Sequence, residues 1–272
     1  MVGRQVVFAP CKINLHLGIH AQTDSRGYHR VDSVMMPVGL FDEVTVDDAP
    51  AFAVHHVPAI ETSPENTTVW KAATLLAEEL GAELNLRIDV KTRIPEKAGL
   101  GGSSADAGAA LRALCERWGV DVHDPRVADV ARRVGADVSF FLDPVPSLFL
   151  GAGDMLAETF PALPMPVVLV KPAGDGVSAA AAYGEYDRNP SEPPAFEAMC
   201  AALCATTLPR RQKRCSPLPR MRKNGSPHSP KRAWPWFPAP VAACLRCATP
   251  SRRLAPSPPG RQMSRIGGHL QL

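Results

Sequence analysis

The chain has 272 residues, 45% of them apolar and 21% charged, with a net charge of +3. This is enough apolar material for one large domain or two modest ones, and no uninterrupted apolar run of about 18 residues argues for a membrane-crossing helix. The opening Val6-Val7-Phe8-Ala9 run is too short for the apolar part of a secretion signal, so a cytoplasmic protein without membrane partners is expected.

In chain order, Arg4 to Phe8 and Ile13 to Gly18 read as strands split by Pro10, and Asp24-Ser25-Arg26-Gly27 reads as a turn. Val31 to Leu40, Asp42 to Val46 and Ala51 to His55 follow as strands. Asn66-Thr67 opens a helix with Val69, Ala73, Leu76 and Leu80 on one face, stopped by Gly81. Leu84 to Val90 alternates with period two and is a strand. Pro95 to Gly102 forms a loop, and a second helix runs from it to Trp118, with Ser103 or Ser104 capping its first turn. Asp124-Pro125 starts a third helix, ended by Gly135-Ala136-Asp137. Ser147 to Leu150 and Pro166 to Val170 are short strands. The mixture predicts an α+β fold.

Beyond about residue 200 the composition changes. Residues 1–200 hold all 27 acidic residues and 16 of the 30 lysines and arginines, a net −11; residues 201–272 hold the other 14 and no acid. A typical segment of that length carries roughly nine acids. The same stretch contains 12 prolines and yields no amphipathic pattern, so a disordered tail is expected. Its Cys244 and Cys247 form a lone C-x-x-C with no further ligands at zinc-finger spacing, and no metal site is assigned.

Chemistry concentrates in Pro95-Glu96-Lys97-Ala98-Gly99-Leu100-Gly101-Gly102-Ser103-Ser104-Ala105-Asp106-Ala107, between a strand and a helix. Three glycines in four residues permit close backbone approach to a ligand. The helix that follows offers orphan N–H groups and the positive end of its dipole, an anion cradle suited to phosphates. Ser103 and Ser104 can add hydroxyl contacts to phosphate or Mg²⁺. The segment lacks the Gly-Lys-Ser/Thr of a Walker A loop, and Ser104 occupies the third glycine position of a dinucleotide fingerprint.

Three other stretches stand in register with this loop: Ala9-Pro10-Cys11-Lys12-Ile13-Asn14-Leu15, Gly27-Tyr28-His29, and Gly135-Ala136-Asp137-Val138-Ser139-Phe140-Phe141. Together the four resemble the diphosphocytidyl-methylerythritol kinases of the GHMP superfamily, over roughly residues 5–185; Gly151-Ala152-Gly153-Asp154 resembles that family's later glycine turn. The resemblance implies Lys12 and Asp137 as catalytic residues, with Asp137 accepting the hydroxyl proton and Lys12 steadying charge on the moving phosphoryl group. It implies an ATP-phosphate loop at Pro95, Ala98, Gly99, Leu100, Gly101, Gly102, Ser103, Ser104 and Ala105. It also implies substrate contacts from Asn14, Tyr28 and His29 to a cytidine-bearing small molecule, with ATP and Mg²⁺ as cofactors.

The implied architecture is a GHMP-kinase-like N-terminal domain over 1–160 and the start of a C-terminal kinase domain over 161–200. A Pro/Arg-rich tail occupies 201–272. Two departures stand out. Ser103 and Glu96-Lys97 replace smaller residues in the loop, and the glycine-rich segment that the family carries in its second domain is absent. The acid-free tail reads as the out-of-frame product of a GC-rich gene, which resequencing around codon 200 tests. An inactive truncated relative and another GHMP kinase, acting on homoserine or a mevalonate derivative, remain as alternatives, as does nucleic-acid binding through the +14 tail. Basic tails of this kind bind polyanions without specificity, so no specific nucleic acid is expected. Oligomeric state carries no signal.

Overall fold

The computed structural model describes residues 3–24, 27–163, 165–171, 179–193 and 195–207. Two long strands, β1 (Gln5–Thr23) and β2 (His29–Asp48), pair antiparallel over nearly their whole length. Each joins stretches that the sequence reading separated. Pro10 sits inside β1 beside a register shift at Pro10/Cys11. Among the described strands β1 pairs only with β2, so it is an edge, where a residue without an N–H is tolerated.

β4 (Leu86–Lys91) pairs antiparallel with Glu43–Asp48 of β2 and parallel with β3 (Ala53–Val57). β5 (Ser147–Leu150) pairs with Ser33–Met35 of β2, and β6 (Met155–Thr159) pairs antiparallel with β5. The order is β3-β4-β2-β5-β6, with β1 alongside β2.

Three helices cover this sheet. α1 (Thr68–Leu80) is capped by the Thr67 hydroxyl, which accepts from Trp70 N–H, and ends on Gly81 in the left-handed region. α3 (Pro125–Val134) is capped by Asp124, which accepts from Arg126 N–H, with proline at its first position. Between them runs α2 (Gly102–Trp118), buried along Ala105–Leu111. Its small side chains let it fill the centre of the domain. Gly108 is required there: a Cβ at this position would lie 2.4 Å from Phe141 Cβ and 3.0 Å from Phe141 backbone atoms. The 3₁₀ helix Ala136–Leu142, which carries Asp137 and Phe141, packs directly on that gap.

A smaller apolar cluster joins Val34, Leu148 and Phe160 to Cys200 and Leu203. The last two belong to α5 (Glu197–Thr207), which follows α4 (Ala179–Arg188).

The mixed α+β class stands as expected. Three local expectations do not, and one strand was not expected. Pro166–Val170 is not a strand: Val167 and Leu169 are half-buried while Val168 and Val170 are 55% and 61% exposed, an alternating pattern that no described strand pairs with. A strand is defined by its ladder, and period two alone does not supply one. Gly101, not Ser103 or Ser104, is the N-cap of α2, and no side chain caps that helix. β6 was not foreseen. α5 extends seven residues into the segment expected to be disordered, because Ala201–Thr207 is free of proline and closes on the small cluster through Leu203. The rest of the tail expectation, over 208–272, lies outside the described residues.

Candidate active site

Period two along β1 places Lys12 and Asn14 on one face. Lys12 is fully buried, and its Nζ donates to Asn14 Oδ1 at 2.7 Å. The same Nζ lies 3.3 Å from Asp137 Oδ2, a carboxylate 22% exposed. An ammonium without solvent needs such partners. Asn14 Nδ2 donates in turn to Ser33 Oγ at 2.7 Å, and the Ser33 hydroxyl donates to the His16 carbonyl at 3.1 Å. A register shift between Asn14 and His16 ends the regular alternation just past this network. Bulges of this kind are over-represented beside active sites because they re-aim side chains.

The glycine loop closes over the Lys12 stem. The Lys12 backbone N–H donates to Leu100 O at 2.9 Å. A Cβ on Gly101 would lie 3.1 Å from Lys12 Cγ and 3.1 Å from Phe141 Cζ, so the loop approaches to a distance that only glycine allows. Gly99 and Gly101 both have φ of +74°. Ala98 and Leu100 are buried and anchor the loop, while Gly99, Gly101 and Gly102 stay partly accessible. With no side-chain cap on α2, the orphan N–H groups of its first turn are left to face this loop. Ser103 is exposed, and its carbonyl accepts from Thr68 Oγ1 at 2.6 Å, which ties α1 to the start of α2. Lys97 has φ of +53°, a left-handed conformation unusual for a residue with a side chain.

His29 reaches the site through α4. Its ring stacks on Tyr183 at 5.9 Å and meets Tyr186 edge-on at 5.5 Å. Its Nε2 lies 2.8 Å from Asp187 Oδ1, and its Nδ1 lies 2.8 Å from the His20 carbonyl. Burial and the negative charge of Asp137 push the Tyr183 hydroxyl well above the usual tyrosine range. Tyr28 is half-buried beside the turn, where its N–H donates to Asp24 Oδ1 at 3.0 Å.

Lys12, Asn14, Asp137 and the glycine loop are therefore in direct contact, while His29 stacks on Tyr183 of α4. Ser33 and Tyr183 join them without having been foreseen. A serine next to an apolar run and a tyrosine in an alanine-rich helix carry no pattern of their own.

Residues 67–149 match the family model described as GHMP kinases N terminal domain. The chain is 34% identical over 197 residues to the 4-diphosphocytidyl-2-C-methyl-D-erythritol kinase of Bacillus pumilus, covering 72% of this chain and 68% of that one. Identity to the kinase of the same name from a Nocardioides species is 35% over 208 residues, covering 72% and 69%. To that of Ruegeria pomeroyi it is 38% over 169 residues, but the match spans only 57% of that relative's length. Among solved structures, a 4-(cytidine 5′-diphospho)-2C-methyl-D-erythritol kinase superposes with a TM-score of 0.57 at 29% identity, covering 74% of this chain and 72% of the other. Fold and comparisons define a GHMP-type domain, the class of ATP-dependent small-molecule kinases. Within that class the chain belongs to the 4-diphosphocytidyl-2-C-methyl-D-erythritol kinase family. No helix among the described residues is long and apolar enough to cross a membrane.

Proposed function

We propose that the chain transfers the γ-phosphoryl group of ATP to a hydroxyl of 4-diphosphocytidyl-2-C-methyl-D-erythritol, a step of isoprenoid precursor synthesis by the non-mevalonate route. The observation that carries this reading is the 3.3 Å approach of Lys12 Nζ to Asp137 Oδ2 directly beneath the glycine loop. Phosphoryl transfer asks mainly for positioning and charge neutralisation. A lysine has three donors. Two of them serve Asn14 and Asp137, and the third is assigned to a phosphate oxygen. Asp137, partly open to solvent, accepts the proton of the attacking hydroxyl.

A triphosphate suits the residues present, since the left-handed Gly99 and Gly101 lead into a helix start that no side chain caps. Pro95, Ala98, Leu100, Gly102 and Ser103 to Ala105 complete the cradle. No group of three or more His, Cys, Asp or Glu able to hold a metal occurs among the described residues. Mg²⁺ would enter as a companion of the nucleotide, with the hydroxyl of Ser103 or Ser104 as its protein ligand, and would supply charge neutralisation. Asn14, Tyr28 and His29 are assigned to the cytidine-bearing substrate, with His29 already held by aromatic neighbours on α4.

In this reading residues 1–160 are the ATP-binding domain, and 161–200 open a second domain that helps to wall the cleft. The test is ADP release by the full chain, offered in turn the diphosphocytidyl substrate, homoserine and mevalonate derivatives. Turnover confined to the first supports the reading. Preference for another alcohol removes the substrate assignment, and ATP turnover with none removes the activity of this chain.

A further inference from the structure

We propose that Asp42 is a positioning residue for the glycine loop, clasping the chain on both sides of it: the backbone N–H groups of Arg93 and Ile94 before the loop and the side chain of Asp106 after it. Asp42 lies on β2, opposite Ala9 of β1, and is 1% exposed. Its Oδ1 accepts the N–H of Arg93 and, at 2.7 Å, that of Ile94. Its Oδ2 and the Oδ1 of Asp106 are buried with no donor other than the two acids themselves.

Two buried carboxyl groups in contact do not both ionise. Burial, the charge of Asp42 and the hydrogen bond to it raise Asp106 well above the usual carboxylic-acid range, so Asp106 keeps the proton and donates it to Asp42. The clasp reaches the loop directly. A Cβ on Gly102 would lie 3.2 Å from Ile94 Cγ2 and 3.8 Å from Asp42 Oδ2. With Leu100 O held by the Lys12 N–H, the segment is fixed at three points, at Ile94, Leu100 and Asp106. The free backbone between them holds the glycines that the proposed function assigns to ATP, and in that respect the inference rests on that reading.

The remaining titratable groups facing Asp42 are Cys11 on β1 and His56 on β3; Lys12 faces Cys11 and Glu96 faces His56. Burial pushes the Cys11 thiol up to about 11 and lowers His56. Both are neutral above pH about 7 until the thiol titrates. Asp106 is a group raised on folding, so its contribution is complete at acidic pH. It falls as pH climbs past the ordinary aspartate range and is lost by its raised folded value, leaving two adjacent negative charges.

The test is amide hydrogen exchange over residues 93–106 in the nucleotide-free full chain, expressed as protection factors from mildly acidic to mildly alkaline pH. Wild type loses loop protection as pH rises. Asp106→Asn keeps a donor toward Asp42 but cannot titrate, so its loop protection stays flat. Asp42→Ala lowers loop protection about tenfold at the acidic end of the range, where the clasp is complete, while α1 and α3 keep theirs. An Asp106→Asn profile that falls with pH like wild type, or equal loss across α1, α3 and the loop in Asp42→Ala, would each overturn the proposal. Binding of a fluorescent ATP analogue, measured in parallel, separates the two readings. If protection behaves as described while wild type fails to bind the analogue, the clasp stands and the assignment of the loop to ATP fails.

Discussion

Lys12 has no access to solvent, an uncommon position for a lysine, and its environment is built from groups brought in by three separate parts of the chain. Replacing it by alanine, or Asp137 by asparagine, is expected to lower kcat by about 10²–10⁴-fold, the scale of a lost proton acceptor or charge stabiliser. Circular dichroism should show the fold intact, and steady-state turnover near the wild-type value in either variant would remove the assigned role. Lys97 offers the opposite experiment. Its left-handed backbone is strained for any residue with a Cβ, so Lys97→Gly should raise the thermal midpoint, by an amount matching about 1 kcal/mol. That Lys12, Asn14, the loop and Asp137 belong together was legible because each stands in a recognisable local string, and the structure brings them into contact. Asp42, Ser33 and Tyr183 stand in none, since their roles arise from what lies across the sheet or on a distant helix.

At the scale of elements, α2 decides the geometry by how closely the Asp137-bearing 3₁₀ helix can approach it. Gly108→Ala forces a methyl group into Phe141, including its backbone, and should cost about 1–3 kcal/mol by denaturant titration. Turnover should fall with it, because Asp137 moves with Phe141. A useful contrast is Gly184 in α4, where a Cβ would meet nothing within 4 Å; Gly184→Ala should be neutral or stabilise by up to about 1 kcal/mol. α1 and α3 were legible because each carries its own punctuation, Thr67 and Gly81 for one and Asp124-Pro125 for the other, and α2 because its apolar stripe runs on from the glycine loop. The strands were less so. Pro10 looked like a boundary, yet it occupies an edge with a register shift beside it. Pro166–Val170 looked like a strand because alternation reports which side is buried but says nothing about a ladder.

At the scale of the whole molecule, the matched span covers 68%, 69% and 57% of the lengths of the three relatives. α5 marks the practical limit. Its Cys200 and Leu203 cover Val34, Leu148 and Phe160 at the far end of the sheet. A chain ending before α5 should therefore melt lower and aggregate sooner than one ending at Thr207. Equal melting of the two truncations would show that α5 contributes nothing to the fold. The charge division was plain in the sequence. That seven residues past the compositional boundary form a helix was not, because averaging over the acid-free stretch hid its first turns.

The enclosure of the Lys12 stem by Gly101 and Phe141 has one more consequence. In Lys12→Ala, shortening the side chain leaves a narrow apolar slot of propylamine shape, with the carboxylate of Asp137 at its mouth. Such a slot is a receptor for a short primary alkylamine supplied in the buffer. Amines of matching length should rescue phosphoryl transfer, and branched or longer ones should not, giving a chemical ruler for the depth at which the charge must sit.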